Sequence, residues 1–186
     1  MIGEFRRVGN MLFLSHLVDV SSGNMSARVK DGVWITKTGR SLYNLRGKDI
    51  VKIGFERDIR WEAASSEVEI HINIYKNIPD ARAIVHAHPE ATVLLSLLDL
   101  KTIEPLDYEG FLFLKKVDIL EIPYNTWDLA KDAIPDYFKN SSKTIVVAKG
   151  HGVFAYSETL FKAAQLVAAL ENSSKLLLGV KYGGKD

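Results

Sequence analysis

Asp31-Gly32, set between the stretches Met25–Val29 and Val33–Thr36, most limits what this chain can fold into. Asp-Gly between two strand-like runs signals a hairpin, because the tight turns that suit a right-twisted sheet favour these residues. A hairpin pairs its strands antiparallel, so the sheet that contains it is not doubly wound. Further strand-like runs lie at 50–55, 81–89, 117–123, 144–148 and 153–156, with 59–61 the expected partner of 50–55. Helices are expected between them. Ser65-Ser66-Glu67 opens one, with serine as N-cap and Glu67 and Glu69 in the first turn, ending near Asn77 before Pro79. An apolar helix spans about 90–98, and another spans 127–139, where Pro135 must kink or shorten it. The last starts near 158 and carries Leu160, Ala163, Ala164, Val167, Leu170 and Leu177 at helical spacing. With 186 residues and no repeat, linker or low-complexity tract, the expectation is one α/β domain over 1–186 with a largely antiparallel or mixed sheet.

Composition removes several classes of function. The formal net charge is +1 and the charges are interspersed, which gives no support for binding nucleic acid or an acidic membrane. Cysteine is absent, so disulfides and thiolate metal sites are excluded, and a bound zinc ion must take nitrogen and oxygen ligands. No apolar run approaches the ~18–20 residues that span a bilayer. Arg6 and Arg7 precede apolar residues, as in a signal peptide, but Glu4, Asn10, His16 and Asp19 interrupt the run. Phe5, Val8, Leu12, Leu14, Leu17 and Val18 fit a helical stripe instead, so an amphipathic N-terminal helix and a cytoplasmic protein are expected.

The chemistry starts at His86 and His88, which close the apolar run Ala81–Pro89. Alternation along Ala83, Val85 and Ala87 reads as a strand, on which residues two apart share a face about 6–7 Å apart at the backbone. Two imidazoles so placed can reach one metal at ~2.1 Å, and His151 in Gly150-His151-Gly152 is a candidate third ligand. Its flanking glycines let the backbone bend and approach closely, a cost an ordinary strand avoids. Three histidines with one position open is an arrangement of catalytic zinc, and the absence of His-Glu-x-x-His rules out a zincin-type helix. His16 and His71 read as ordinary structural histidines.

Glu67 lies just before the histidine strand. Its ordinary role is a first-turn carboxylate stabilised by the helix dipole; the alternative is a general acid/base beside the metal. Three small polar loops recur: Ser22–Ser26, Thr36–Gly39 and Ser65-Ser66. Each is the composition of a common turn, and each can also present hydroxyls, amides and backbone N–H groups to a phosphate. Neither Gly-x-x-x-x-Gly-Lys-Ser/Thr nor Gly-x-Gly-x-x-Gly occurs, which argues against triphosphate and dinucleotide ligands.

Taken in order, five motifs carry a resemblance. They are Ser-Gly-Asn-Met-Ser-Ala-Arg (22–28), Ile-Thr-Lys-Thr-Gly (35–39) and Ser-Ser-Glu-Val-Glu-Ile-His-Ile-Asn-Ile-Tyr (65–75), then Pro-Asp-Ala-Arg-Ala-Ile-Val-His-Ala-His-Pro (79–89) and Lys-Gly-His-Gly-Val (149–153). With the helix bearing Glu171 they span about residues 9–178, and the chain resembles the class II aldolase/adducin-head family, most of all its L-fuculose-1-phosphate aldolase branch. The resemblance implies a three-layer α/β/α fold on a central, mainly antiparallel sheet, assembled as a homotetramer with active sites at subunit interfaces. It makes His86, His88 and His151 the Zn2+ ligands, and Glu67 the catalytic acid/base that also ligates zinc when substrate is absent. Asn24, Thr38, Gly39, Ser65 and Ser66 fall on the substrate-phosphate positions, while His71 falls on a position that does not bind zinc.

The implied reaction is reversible cleavage of a ketose 1-phosphate to dihydroxyacetone phosphate and an aldehyde, through a metal-stabilised enediolate. Tyr108 resembles the tyrosine that aldolases contribute across a subunit boundary. Glu109 stands where the methylthioribulose-phosphate dehydratases carry an acid/base glutamate, and both also read as plain loop residues. Dehydratase, pentulose-phosphate 4-epimerase and a non-enzymatic adducin-like scaffold are the alternatives. The scaffold reading is the weakest, because such heads lose the zinc ligands and all three histidines and Glu67 are present here. The family often carries a tail of some twenty residues beyond its last long helix that helps cover the site. This sequence stops at Asp186, which leaves the lid and aldehyde pocket undefined.

Overall fold

The computed structural model describes residues 1–183. Residues 184–186, on which the expectation about the lid falls, lie outside the described residues. Eight strands form one sheet in the order β3-β2-β1-β4-β8-β7-β6-β5. They are β1 (Asn24–Val29), β2 (Gly32–Thr36), β3 (Ile50–Ile53), β4 (Ala83–Ala87), β5 (Thr102–Ile103), β6 (Val117–Leu120), β7 (Ile145–Ala148) and β8 (Gly152–Ser157). Every pairing is antiparallel except β6 with β7, so the expected mixed, mainly antiparallel sheet is present. The expected hairpin is present, but its turn falls one residue earlier than the Asp31-Gly32 pair: Val29 lies opposite Gly32, so Lys30 and Asp31 form the turn and Gly32 opens β2.

Six helices cover the two faces: α1 (Ile2–Leu14), α2 (Val68–Asn77), α3 (Glu90–Leu97), α4 (Tyr108–Phe113), α5 (Ala130–Asn140) and α6 (Leu160–Tyr182). Period-two alternation sorts each strand between two cores. Ala83, Val85 and Ala87 of β4 join Phe5, Leu12, Leu95 and Leu170 under α1, α3 and α6. Ile84 of the same strand joins Ile70, Ile74, Ile134 and Phe138 under α2 and α5. Each fully buried aliphatic or aromatic side chain contributes roughly 1.5–3 kcal/mol, so the two cores bind the three layers together.

Some local expectations need correction. The N-terminal helix stops at Leu14, not beyond Val18: His16 takes a left-handed φ of 56°. The amides of His16 and Leu17 then bond back to the carbonyls of Phe13 and Leu12, a Schellman end. Leu17 and Val18 are buried, but as part of the following turn. Residues 59–61 are no strand; Ile59–Ala63 form a 3-10 turn because the Asp58 carboxylate accepts the Arg60 amide and caps it. β3 pairs with β2 instead.

Helix α2 starts at Val68 with Glu67 as its N-cap, while the Ser65 hydroxyl accepts the Glu67 amide. The expected strand 117–123 is only four residues long, since Pro123 starts the 3-10 turn Tyr124–Leu129, and α5 begins after that turn. Helix α4 was not foreseen: the Asp107 carboxylate accepts the Gly110 amide and caps it, which puts Tyr108 and Glu109 on a helix rather than a loop.

Candidate metal centre

Register brings the site together. Asn24 of β1 lies opposite His86 of β4, and His86 lies opposite Phe154 of β8. His86 is buried, stacks on Phe154 with ring centroids 4.0 Å apart, and donates Nδ1–H to the Val153 carbonyl at 3.0 Å. That bond sets the tautomer and leaves Nε2 bare as a ligand. His88 follows the last residue of β4, anchored by its amide to the Leu17 carbonyl, and its Nε2 lies 2.7 Å from that of His86.

His151 arrives on the turn between β7 and β8. Gly150 has φ +68°, and a side chain there would strike the Tyr124 hydroxyl. At Gly152 a Cβ would sit 2.5 Å from the Ala87 carbonyl oxygen and against both His86 and His88. The two glycines therefore serve the close approach of turn to strand, as their sequence context suggested. The Ser96 hydroxyl accepts the Gly150 amide and ties this turn to α3.

Glu67 completes the cluster from the start of α2. Its carboxylate lies 3.0 Å from His151 Nε2 and 3.2 Å from His86 Nε2, and accepts the Asn24 amide at 2.8 Å. Burial pushes the Glu67 carboxyl up, but the His86 and His151 imidazoles and the Asn24 amide outweigh it and hold it well below the usual carboxylate range. Burial pushes His86 down to about 3, reinforced by His88 and His151, so its imidazole is neutral near pH 7, the form that binds metal. Burial, with His151, also lowers His88.

One nitrogen from each of His86, His88 and His151 lies within 4.8 Å of the others. A tetrahedral ion at ~2.1 Å needs ligand atoms about 3.4 Å apart. Three imidazoles and a carboxylate on one point therefore suit a divalent cation such as Zn2+.

A cavity of about 190 Å³ opens on this cluster. Its remaining walls include Asn24 at the start of β1, Thr38 and Gly39 in the turn after β2, and Ser65 and Ser66 just before α2.

Residues 4–178 match the family described as the Class II Aldolase and Adducin N-terminal domain. The chain belongs to this family. Among class II aldolase relatives it is 30% identical, over 93% of both chains, to the L-fuculose phosphate aldolase of Methanococcus vannielii. It is 31% identical to the methylthioribulose-1-phosphate dehydratase of Methylococcus capsulatus, over 83% of this chain and 81% of that one. The solved L-fuculose-1-phosphate aldolase from Thermus thermophilus superposes with a TM-score of 0.90 at 33% identity, covering 100% of this chain and 96% of that one.

On this class II aldolase fold the histidines, Glu67, Asn24, Thr38, Gly39, Ser65 and Ser66 meet at one cavity, while Tyr108 and Glu109 do not. Both are exposed at the start of α4, Tyr108 by 74%, and neither lines the cavity of its own chain. Lys37 and Arg40 also line the cavity, in and just after the Thr36–Gly39 turn. Sequence reasoning placed Lys37 in that loop but assigned neither residue to the site, although two cations beside hydroxyl-rich turns are a local signal for an anion. It also overlooked Trp127, whose ring centroid is 4.0 Å from that of His151. No local signal marks that contact.

Proposed function

We propose that this chain is a divalent-metal aldolase that reversibly cleaves a ketose 1-phosphate of the fuculose 1-phosphate kind to dihydroxyacetone phosphate and an aldehyde. The observation that carries the reading is the meeting of three imidazoles and one carboxylate at the wall of a cavity otherwise lined with hydroxyls, amides and two cations. His86, His88 and His151 would hold a Zn2+ ion, which would supply Lewis acidity toward the substrate carbonyl. Glu67 would be a further ligand in the substrate-free protein. During condensation it takes the proton from the carbon next to the carbonyl, and during cleavage it returns that proton. Asn24, Thr38, Gly39, Ser65 and Ser66 bind the phosphate, so remote binding energy orients the reacting carbons over Glu67.

The partner at the far side of the reacting bond comes from a second copy. Leu106, Tyr108, Phe111, Leu112 and Phe113 are exposed together on and before α4, an apolar face that favours burial against another chain. In a homotetramer Tyr108 of one copy protonates or orients the aldehyde oxygen at the site of the next.

The 31% identity to a methylthioribulose-1-phosphate dehydratase favours a second reading, the same metal chemistry with Glu109 as the acid/base. Pentulose-phosphate 4-epimerisation would use the same residues. The deciding experiment is coupled detection of dihydroxyacetone phosphate from a panel of pentulose and deoxyhexulose 1-phosphates, with and without chelator. Chelator-sensitive product is expected. No product from any of them removes the aldolase assignment, and water loss from methylthioribulose 1-phosphate that Glu109→Gln abolishes establishes the dehydratase.

A further inference from the structure

One face of α2 meets one face of β1 through a row of polar groups. Glu67, His71 and Tyr75 recur at four-residue spacing, one turn apart on the helix. Asn24, Ser26 and Arg28 recur at two-residue spacing on the strand. They match pairwise. Asn24 donates to Glu67, and the Ser26 hydroxyl lies 2.6 Å from His71 Nδ1 and 2.8 Å from the Tyr75 hydroxyl. Arg28 donates to the Tyr75 carbonyl and lies 5.0 Å over its ring. Ser26, His71 and Tyr75 are buried, and the reaction proposed above uses none of them.

Stability does not account for this seam. Each buried hydrogen bond contributes only about 0.5–1.5 kcal/mol net, and an apolar seam of equal volume would be at least as stable. The seam is also imperfect, because His71 Nε2 has no hydrogen-bond partner among the described residues. What a polar seam adds is direction. A helix lying on aliphatic side chains can slide or roll by tenths of an ångström at little cost, whereas paired donors and acceptors hold one register. Glu67 needs that register. It is the N-cap of α2 with no side-chain capping bond of its own, and His71 sits one turn further on, its amide bonded to the Glu67 carbonyl at 3.3 Å.

We propose that His71 is a positioning residue for Glu67: through Ser26 and Tyr75 it sets α2 on β1 so that the Glu67 carboxylate faces Asn24 and the three imidazoles. The tautomer follows from counting bonds. If Tyr75 donates to Ser26 and Ser26 donates to His71 Nδ1, a single N–H is left over. The reverse direction leaves both a tyrosine proton and an imidazole lone pair unpaired. His71 therefore carries its proton on Nε2.

The inference rests on Glu67 standing at the metal as its ligand and base, and a double-mutant cycle tests it without relying on turnover. Cobalt(II) affinity of the substrate-free protein is measured by chelator competition for wild type, His71→Leu, Glu67→Gln and the double variant, with thermal melting alongside. His71→Leu should weaken cobalt binding about tenfold, the scale of lost outer-shell support. His71→Asn, which keeps a polar atom near Nδ1, should restore most of it. The double variant should bind no more weakly than Glu67→Gln alone. With a turned-over sugar phosphate, His71→Leu should lower kcat and leave KM within about twofold. Additive effects, wild-type cobalt affinity in His71→Leu or in Glu67→Gln, or a uniform loss of melting temperature without coupling would each overturn the proposal. If His71→Leu does not fold, Ser26→Ala takes its place in the same cycle. Should no sugar phosphate be turned over, the proposed function fails while the cobalt cycle still decides the role of His71.

Discussion

At the scale of single residues, function concentrates on groups whose surroundings suit them to one protonation state. Glu67 is held ionised by imidazoles and an amide, so its replacement is the most informative substitution. Glu67→Gln keeps the Asn24 contact but cannot take a proton, and should lower the rate by about 10²–10⁴-fold with the fold intact, read by steady-state kinetics beside circular dichroism. Burial pushes His71 down to about 4 from an ordinary 6.5. The unfolded chain therefore binds this proton between those two values and the native state does not. The stabilisation is fully present above pH 6.5 and is lost as pH falls toward 4. Metal-free protein should lose ~1–3 kcal/mol across that window in urea titrations, and less in His71→Asn. The site histidines were legible because His86, His88 and His151 stand in spacings with few structural uses. That Asn24 holds Glu67 was not legible, since 43 residues separate them and they meet only once the start of α2 has packed on β1.

At the scale of elements, the chain shows how a local fault is repaired from elsewhere. Pro135 lies inside α5 and cannot donate to the Lys131 carbonyl four residues before it. That carbonyl accepts the Asn73 side-chain amide of α2 instead, at 2.8 Å. Asn73→Leu should therefore destabilise by about 1–3 kcal/mol, measured as a shifted urea midpoint at unchanged slope. The proline signalled a break at 127–139, but the repair spans 58 residues and could not be read locally. Strand 59–61 failed for the opposite reason. Its residues suit a strand, but a single capping carboxylate at Asp58 diverts them into a 3-10 turn. Propensity yields to one good hydrogen bond in so short a segment.

At the scale of the whole molecule, the apolar face of α4 is exposed in a single chain, and the oligomer proposed above would bury it. Phe111→Lys with Leu112→Lys should convert an oligomer to smaller species in sedimentation, with metal content retained and turnover lost if the site is shared between copies. The three-layer order, the mixed sheet and the family were all within reach of the sequence. Each depends on periodicity, turn chemistry and motif order, which act over a few residues. His86 and His88 share a face because a strand repeats every two residues, and that alone made a metal site worth proposing. That His151 and not His71 would join them was also legible, from its flanking glycines; how each is held was a tertiary decision. α2 turns His71 into a seam with Ser26 and Tyr75, while the glycine turn brings His151 to Glu67. Residues 84 apart meet only after strands have registered and layers packed, and neither step is written in any one segment.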